Sequence, residues 1–226
     1  LALRNDLDES SNLVVVGAGF VGGEVASTLC GKVASVTVVE PQSAPLERVL
    51  GPEVGGILAA RHRAHGIDLR LNTGVDAFIG DARVEQVRLT SGETIAADVV
   101  VIGIGSVGDA IDVDEYGRTT TPSVYACGDI ASWWRPSLER HVRTEHWTSA
   151  AGQARAVASA IVGEPSPYDE PGFFWSDQFG LRLQHLGHAA TWHAVVIDGD
   201  EEAFTARYVD REGHVLAALA GNSSAA

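Results

Sequence analysis

Leu13-Val14-Val15-Val16-Gly17-Ala18-Gly19-Phe20-Val21-Gly22 is the stretch from which the fold can be read. Four apolar residues in a row, with no polar alternation, predict a parallel strand buried on both faces. The glycines that follow match GxGxxG, and residues 20–29 then read as a helix with Val21, Val25 and Leu29 along one side. Each glycine has a separate task. Gly17 allows the tight turn, Gly19 lets a pyrophosphate approach the backbone, and Gly22 lets helix and strand pack closely. Phe20 and Val21 lie within the same turn. The helix start offers N–H groups and the positive end of its dipole to phosphates.

Outward from this turn, residues 36–39 form a second β-rich run that ends at Glu40, 18 residues past Gly22. A carboxylate there bonds a free ribose 2′-hydroxyl and repels a 2′-phosphate. Pro41-Gln42-Ser43-Ala44 supplies no cation to reverse that preference, so NAD(H) is favoured over NADP(H). The plainer alternative is a strand–helix turn with Glu40 solvated. Glu24 also has two readings. It is either a carboxylate favoured near a helix N-terminus or a group beside the nicotinamide end of the cofactor.

Residues 52–65 read as a second helix stopped by Gly66, and 67–71 as a third strand. The resulting βαβαβ order predicts a doubly wound, Rossmann-like α/β sheet. Residues 75–97 read as a small antiparallel excursion around Ser91-Gly92. Residues 98–102 then return as a buried strand closed by Gly103-Ile104-Gly105. A short strand over 123–127 leads to Gly128-Asp129. A helix over 145–162 places Trp147, Ala151, Ala154, Ala158 and Ile161 on its apolar side. Strands at 181–186, 192–197, 203–208 and 214–219, with a turn at Asp198-Gly199-Asp200, predict a C-terminal α+β module. Expected boundaries are 1–105 for a dinucleotide domain, 106–164 for a second part and 165–226 for the C-terminal domain.

The composition is that of a globular chain, 45% hydrophobic and 20% charged. Sixteen Lys and Arg against 30 Asp and Glu give a net charge of −14, which argues against a general nucleic-acid binder or a polybasic membrane-surface protein. No apolar run reaches the roughly 20 residues of a membrane helix and no signal peptide is visible, so the expected location is cytoplasmic. Cys30 and Cys127 are far apart in sequence and read as small buried hydrophobes. His62 and His65 read as exposed polar residues rather than metal ligands, and no metal site is expected. Arg135, Arg140 and Arg143 read either as a solvated loop or as a cationic patch for an acidic partner.

A wider set of motifs carries a resemblance. Gly17 to Glu24, Val100 to Gly105, Gly117-Arg118-Thr119, Thr121-Pro122-Ser123-Val124-Tyr125-Ala126-Cys127-Gly128-Asp129, Arg143-Thr144-Glu145-His146-Trp147 and Phe174-Trp175-Ser176-Asp177-Gln178 occur in this order. In this order the chain resembles the FAD-dependent pyridine-nucleotide oxidoreductases, most closely the ferredoxin and rubredoxin reductases. The resemblance implies a flavoprotein that takes hydride from NADH onto FAD and passes electrons to a ferredoxin serving an oxygenase. It implies that Gly103 and Gly105 line the NAD site and that Asp129, after Gly128, contacts the ribityl and phosphate part of FAD. Trp147 lies beside the isoalloxazine ring in this family, and Trp175 and Gln178 belong to the module facing it. Glu24 and Glu145 would orient the nicotinamide, with no acid or base exchanging protons. On residue type alone Asp129 reads as a turn or cap residue, and the two tryptophans as core.

The family's N-terminal FAD-binding half has no counterpart in these residues. Ser106-Val107-Gly108-Asp109 departs from its usual Pro-Asn loop, and the chain stops at Asn222-Ser223-Ser224-Ala225-Ala226, before its usual closing helix. The sequence is therefore expected to be part of a longer protein. Two alternatives stand beside this reading: a flavoenzyme with a small-molecule acceptor, and an NADH-responsive module of the apoptosis-inducing-factor type. The reading also leaves room for a homodimer. Replacing Glu40 with Arg is expected to weaken NADH binding and strengthen NADPH binding. Titration of both coenzymes checks this, and unchanged affinities would mean that Glu40 does not touch the ribose.

Overall fold

The computed structural model describes residues 7–105 and 109–222, so the departures noted at 106–108 and 223–226 lie outside the described residues. The chain divides into two compact units. One comprises Leu1–Gly105, Ser176–Leu183 and Asp198–Phe204, and the other Ser106–Trp175, Gln184–Ile197 and Thr205–Ala226.

The first unit is organised by β1 (Asn12–Val16), in which Leu13, Val14 and Val15 have no exposed surface. β1 pairs in parallel with β2 (Ser35–Glu40) on one side and β7 (Val99–Ile102) on the other. β3 (Asp68–Leu71) adds to β2, giving the order β3-β2-β1-β7. Side-chain alternation along β1 supplies two cores. Leu13 and Val15 pack with Val36, Val38, Ala26 of helix α1 (Phe20–Leu29) and Ala59 of helix α2 (Glu47–Ala64). Val14 and Val39 pack on the opposite face with Val87, Leu89 and Ala97. That face is covered by the expected antiparallel excursion, in the order β4 (Val75–Ile79), β5 (Gln86–Leu89), β6 (Thr94–Ala96).

Local details differ from the sequence reading for identifiable reasons. The buried face of α1 is Gly22, Gly23 and Ala26, whereas Val21 is exposed. The helix packs so closely that only small residues fit beneath it. α2 begins at Glu47 rather than residue 52. It is broken at Gly51, whose φ of 79° takes the backbone out of the helix before Pro52 restarts it. His62 is buried on α2, not exposed. β7 is half-buried and Ile102 exposed, because among the described residues β7 has a neighbour on one side only.

In the second unit, β8 (Ile111–Val113), β9 (Ala131–Arg135) and β10 (Arg140–Arg143) form a sheet in the order β10-β9-β8. Its core is Trp133, fully buried, whose ring meets Tyr168 edge-on at 5.7 Å and whose indole N–H donates to the Tyr168 carbonyl at 3.1 Å. Residues 123–127 make no strand. Ser123 has a φ of 64°, and only Tyr125 forms an isolated bridge, to Arg118. Helix α3 (Trp147–Ile161) buries Ser149, Gly152, Gln153, Ala156 and Ala160. Trp147, Ala154, Ala158 and Ile161 of the expected apolar side are exposed. Tyr168 explains the reversal, since its ring lies where a Cβ on Gly152 would be. Both cysteines are half-buried rather than buried.

The C-terminal strands are β11 (Phe173–Gln178), β12 (Leu181–Gly187), β13 (Ala194–Gly199), β14 (Phe204–Val209) and β15 (Val215–Gly221), in the order β11-β12-β15-β14-β13. The turn expected at 198–200 falls later, where Asp200 Oδ1 accepts from the Glu202 and Ala203 N–H groups. No helix among the described residues is long and apolar enough to cross a membrane.

Two imidazoles in the second unit are built to stay neutral. His185 is stacked on Phe174 at 4.7 Å, and burial, reinforced by His146 and His188, pushes its pKa down to about 4. Burial, with Arg135, Arg140 and His146 adding repulsion, does the same to His188. The unfolded chain binds protons at these groups below its ordinary value of about 6.5 while the folded chain does not. Their contribution to stability is therefore present above pH of about 6.5 and lost as pH falls towards 4. Thermal melts across that window are expected to show a falling melting temperature, and His185→Phe is expected to flatten the fall. An unchanged pH profile in that variant would remove His185 from the account.

Candidate functional site

The first unit carries the glycine turn, and backbone crowding shapes it. A Cβ on Gly22 would overlap the Gly17 carbonyl oxygen, and one on Gly17 would lie 2.6 Å from the Gly103 carbonyl oxygen. Gly17 also has a φ of 97°, and its N–H donates to the Val39 carbonyl at 2.8 Å. These contacts seat the turn against the ends of β1, β2 and β7. Gly19 differs, because a Cβ there would meet only Gly103 O, at 3.8 Å. The N-cap of α1 is Gly19 itself, which brings no side chain to the helix start. A diphosphate fits such a cradle by shape and by charge. Phe20 is half-buried, Val21 exposed, and Gly105 has a φ of 88° with nothing near its missing Cβ.

Glu40 stands at the end of β2, as the strand reading requires. Its Oε2 accepts from the Ala18 N–H at 2.8 Å and its Oε1 from the Gln42 N–H at 2.9 Å. The carboxylate thus ties the glycine turn to the loop after β2. Two carboxylate oxygens offer about four acceptor sites, so capacity remains for hydroxyl donors. Glu24, on the exposed side of α1, accepts from Ser176 Oγ at 2.7 Å. The sequence reading included Ser176 in a motif but gave it no role.

The second unit carries the other candidates. Gly128 and Asp129 sit in a single 3-10 turn, Gly128–Ile130. Gly128 has a φ of 77°, and its N–H donates to Gln153 Oε1 at 2.8 Å, so the buried face of α3 positions the turn. Asp129 is exposed, and its carbonyl accepts from Arg143 Nε at 2.8 Å. Arg143 also pairs with Glu145 at 2.9 Å. Trp147 is 76% exposed and Trp175 41%, with ring centroids 6.4 Å apart and nearly perpendicular. Among the described residues these two rings are surface rather than core. The basic stretch divides. Arg140 is exposed, but Arg135 is buried and holds Asp169 at 2.9 Å, so it contributes nothing to a cationic patch.

Among the described residues, the one group of metal-type ligands is Asp210, Glu212 and His214 in the β14–β15 hairpin. The Asp210 carboxylate bonds the turn itself, its Oδ1 accepting from the Glu212 and His214 N–H groups.

Residues 1–154 match the pyridine nucleotide-disulphide oxidoreductase family, and residues 173–226 match the reductase C-terminal family. The ferredoxin reductase subunit of 5,5′-dehydrodivanillate O-demethylase from Sphingobium sp. is 39% identical over 93% of this chain and 55% of its own length. Rhodocoxin reductase from Rhodococcus erythropolis is 36% identical over 89% of this chain and 51% of its own length. The chain therefore spans about half the length of these relatives. The crystal structure of the ferredoxin reductase for the CYP199A2 system from Rhodopseudomonas palustris superposes with a TM-score of 0.91 at 31% identity, over 98% of this chain and 58% of that one. With 154 of its residues matched and its α/β architecture shared, this chain belongs to the pyridine nucleotide-disulphide oxidoreductase family.

Proposed function

We propose that this chain is the NADH-binding and C-terminal part of a ferredoxin reductase that supplies electrons to an oxygenase. Its family uses FAD and NAD(P)H, and of the relatives named above one is the ferredoxin reductase subunit of an O-demethylase and another the ferredoxin reductase for the CYP199A2 system. The glycine turn carries the reading: it has an open cradle at Gly19 and a carboxylate tethered beside it at Glu40. Gly17, Gly19, Phe20, Val21, Gly22, Gly103 and Gly105 hold the diphosphate and adjoining sugar of NADH. Glu40 accepts from the adenosine ribose, and Glu24 orients the nicotinamide.

Residues 106–164 contribute part of a flavin site, with 1–105 as the NADH domain and 165–226 as the interface domain. Gly128 and Asp129 meet the sugar-phosphate chain of FAD, and Trp147 and Trp175 supply apolar rings for a flat heteroaromatic group. Glu145, paired with Arg143, keeps an acid at the start of α3. Bound FAD supplies the chemistry that turns a two-electron hydride donor into single electrons. The chain's own residues position the coenzymes and exchange no proton. Each unit has a single free cysteine, so the described residues by themselves form no dithiol. The acceptor is an iron–sulfur protein of ferredoxin type.

Stopped-flow mixing of the NADH-reduced, flavin-loaded enzyme with a ferredoxin and with small quinones tests this. Oxidation by the ferredoxin is expected to be the faster by at least about tenfold, a transition-state advantage of about 1.4 kcal/mol. A ferredoxin no faster than quinones would overturn the proposal in favour of a small-molecule acceptor.

A further inference from the structure

Behind Glu24 lies a row of buried polar side chains that the proposed function does not use. Ser176 Oγ donates to Glu24 Oε1 at 2.7 Å, and Gln178 Nε2 donates to Ser176 Oγ at 3.2 Å. Gln178 Oε1 lies 3.1 Å from His62 Nε2. Because that oxygen can only accept, His62 carries its proton on Nε2. Every donor in the row then points the same way, from His62 to Gln178 to Ser176 to the carboxylate. Ser176 has no exposed surface, and Gln178 and His62 have 1% each.

Burying three polar side chains is costly unless their hydrogen bonds are made. Here they are made in series, and only the last member reaches the surface. The far end is fixed by packing. His62 Nδ1 is buried without a partner, the state suited to a neutral imidazole, and burial lowers the affinity of this ring for a second proton. Phe179 lies edge-on to His62 at 4.9 Å and stacks on His65 at 4.7 Å. Phe179 and Gly180 both have positive φ, 50° and 71°, as a two-residue hairpin turn between β11 and β12 requires. This non-glycine residue is held there by Ser27 Oγ, which accepts from its N–H at 2.7 Å, and by Arg61 Nε, which donates to its carbonyl at 3.1 Å. The hairpin tip is thus pinned to α1 and α2, and the pinning aims Gln178. Gly23 completes the arrangement, since a Cβ there would strike the Gln178 amide.

We infer that Ser176, Gln178 and His62 are positioning residues that hold the Glu24 carboxylate in one orientation, with its second oxygen turned to the nicotinamide carboxamide of NADH. The inference rests on the assignment of Glu24 to the nicotinamide. The row delivers one directed donor to one oxygen, which selects a single rotamer of an otherwise exposed and mobile side chain. It is expected to act on the nicotinamide half of the coenzyme, because the hydrogen bonds of the row lead to Glu24 and not to the glycine turn or Glu40.

The test is a double-mutant cycle on the flavin-loaded enzyme, using Ser176→Ala, Glu24→Gln and the pair. Dissociation constants are measured by calorimetry for NAD+ and for ADP-ribose, which lacks the nicotinamide, and the limiting rate of flavin reduction by NADH is measured alongside. Ser176→Ala is expected to weaken NAD+ by about fivefold, within the range of a single ordinary hydrogen bond, and ADP-ribose by less than about twofold. In the Glu24→Gln background its further effect on NAD+ is expected to vanish. Gly23→Ala, which displaces the Gln178 amide and leaves Ser176 and Glu24 intact, is expected to reproduce the pattern. It also serves if Ser176→Ala does not fold. Equal weakening of both ligands, or a full additional effect in the Glu24→Gln background, would overturn the inference and leave Ser176 a packing residue. If Glu24→Gln weakens NAD+ while Ser176→Ala does not, the relay fails and the assignment of Glu24 survives. If Glu24→Gln itself leaves NAD+ unchanged, that assignment fails and the relay loses its purpose.

Discussion

Three carbonyl-to-backbone approaches at the head of α1 govern the first unit. Gly22 lies against the Gly17 carbonyl, Gly17 against the Gly103 carbonyl, and the Gly17 N–H on the Val39 carbonyl. No side chain could be inserted at the first two without moving backbone, and moving backbone there would separate the helix from β1 and β7. Because the helix sits so low, its buried face is made of Gly22, Gly23 and Ala26. Within this unit, the candidate residues inherit their positions from this seating. Glu40 reaches Ala18, Glu24 reaches Ser176, and the space at Gly19 stays open.

The second unit solves a similar problem with polar atoms. Gln153 is buried on α3 and spends its amide oxygen on the Gly128 N–H, which fixes the turn that presents Asp129. Arg135 is buried too, and its charge is answered by Asp169, which also accepts from the Ser137 N–H and hydroxyl. In both cases a side chain that looks like surface on residue type serves as internal scaffolding. The large rings of Trp147 and Trp175 are meanwhile left outside. Exposed aromatic rings gain nothing from water, so this inversion is what the proposed flavin surface would require.

Legibility from sequence followed the range of the interactions. β1, the glycine turn, α1, β2 and Glu40 could be read because their determinants lie within a few residues of one another: an apolar run, a glycine spacing and an acid at a strand end. The face of α3 could not. Its largest apolar residues, Trp147 and Ile161, face outward, and the inward face is set by Tyr168, which follows the helix, closing on Gly152. β9 and β10 were hidden for a related reason. A run with three arginines and Pro136 reads as loop until the distant Asp169 neutralises Arg135. A histidine three residues from His65, among arginines, looks solvated in the sequence. The hairpin carrying Gln178 and Phe179, more than a hundred residues away, packs against it. One local signal was available: alternation along 174–178 places Phe174, Ser176 and Gln178 on one side of the strand, and a strand that turns a serine and a glutamine inward alongside a phenylalanine must be feeding a polar partner.

Glu40 carries a consequence for how such a site can change over evolution. The same two oxygens that would greet the ribose already staple the phosphate loop to the strand next door, so selectivity and rigidity share their atoms. A lineage shifting towards a phosphorylated coenzyme by swapping the acid for a cation would also take the acceptor from the Ala18 amide, so the altered preference would come with a looser loop. Another oxygen taking over that amide would restore the staple without altering the new charge.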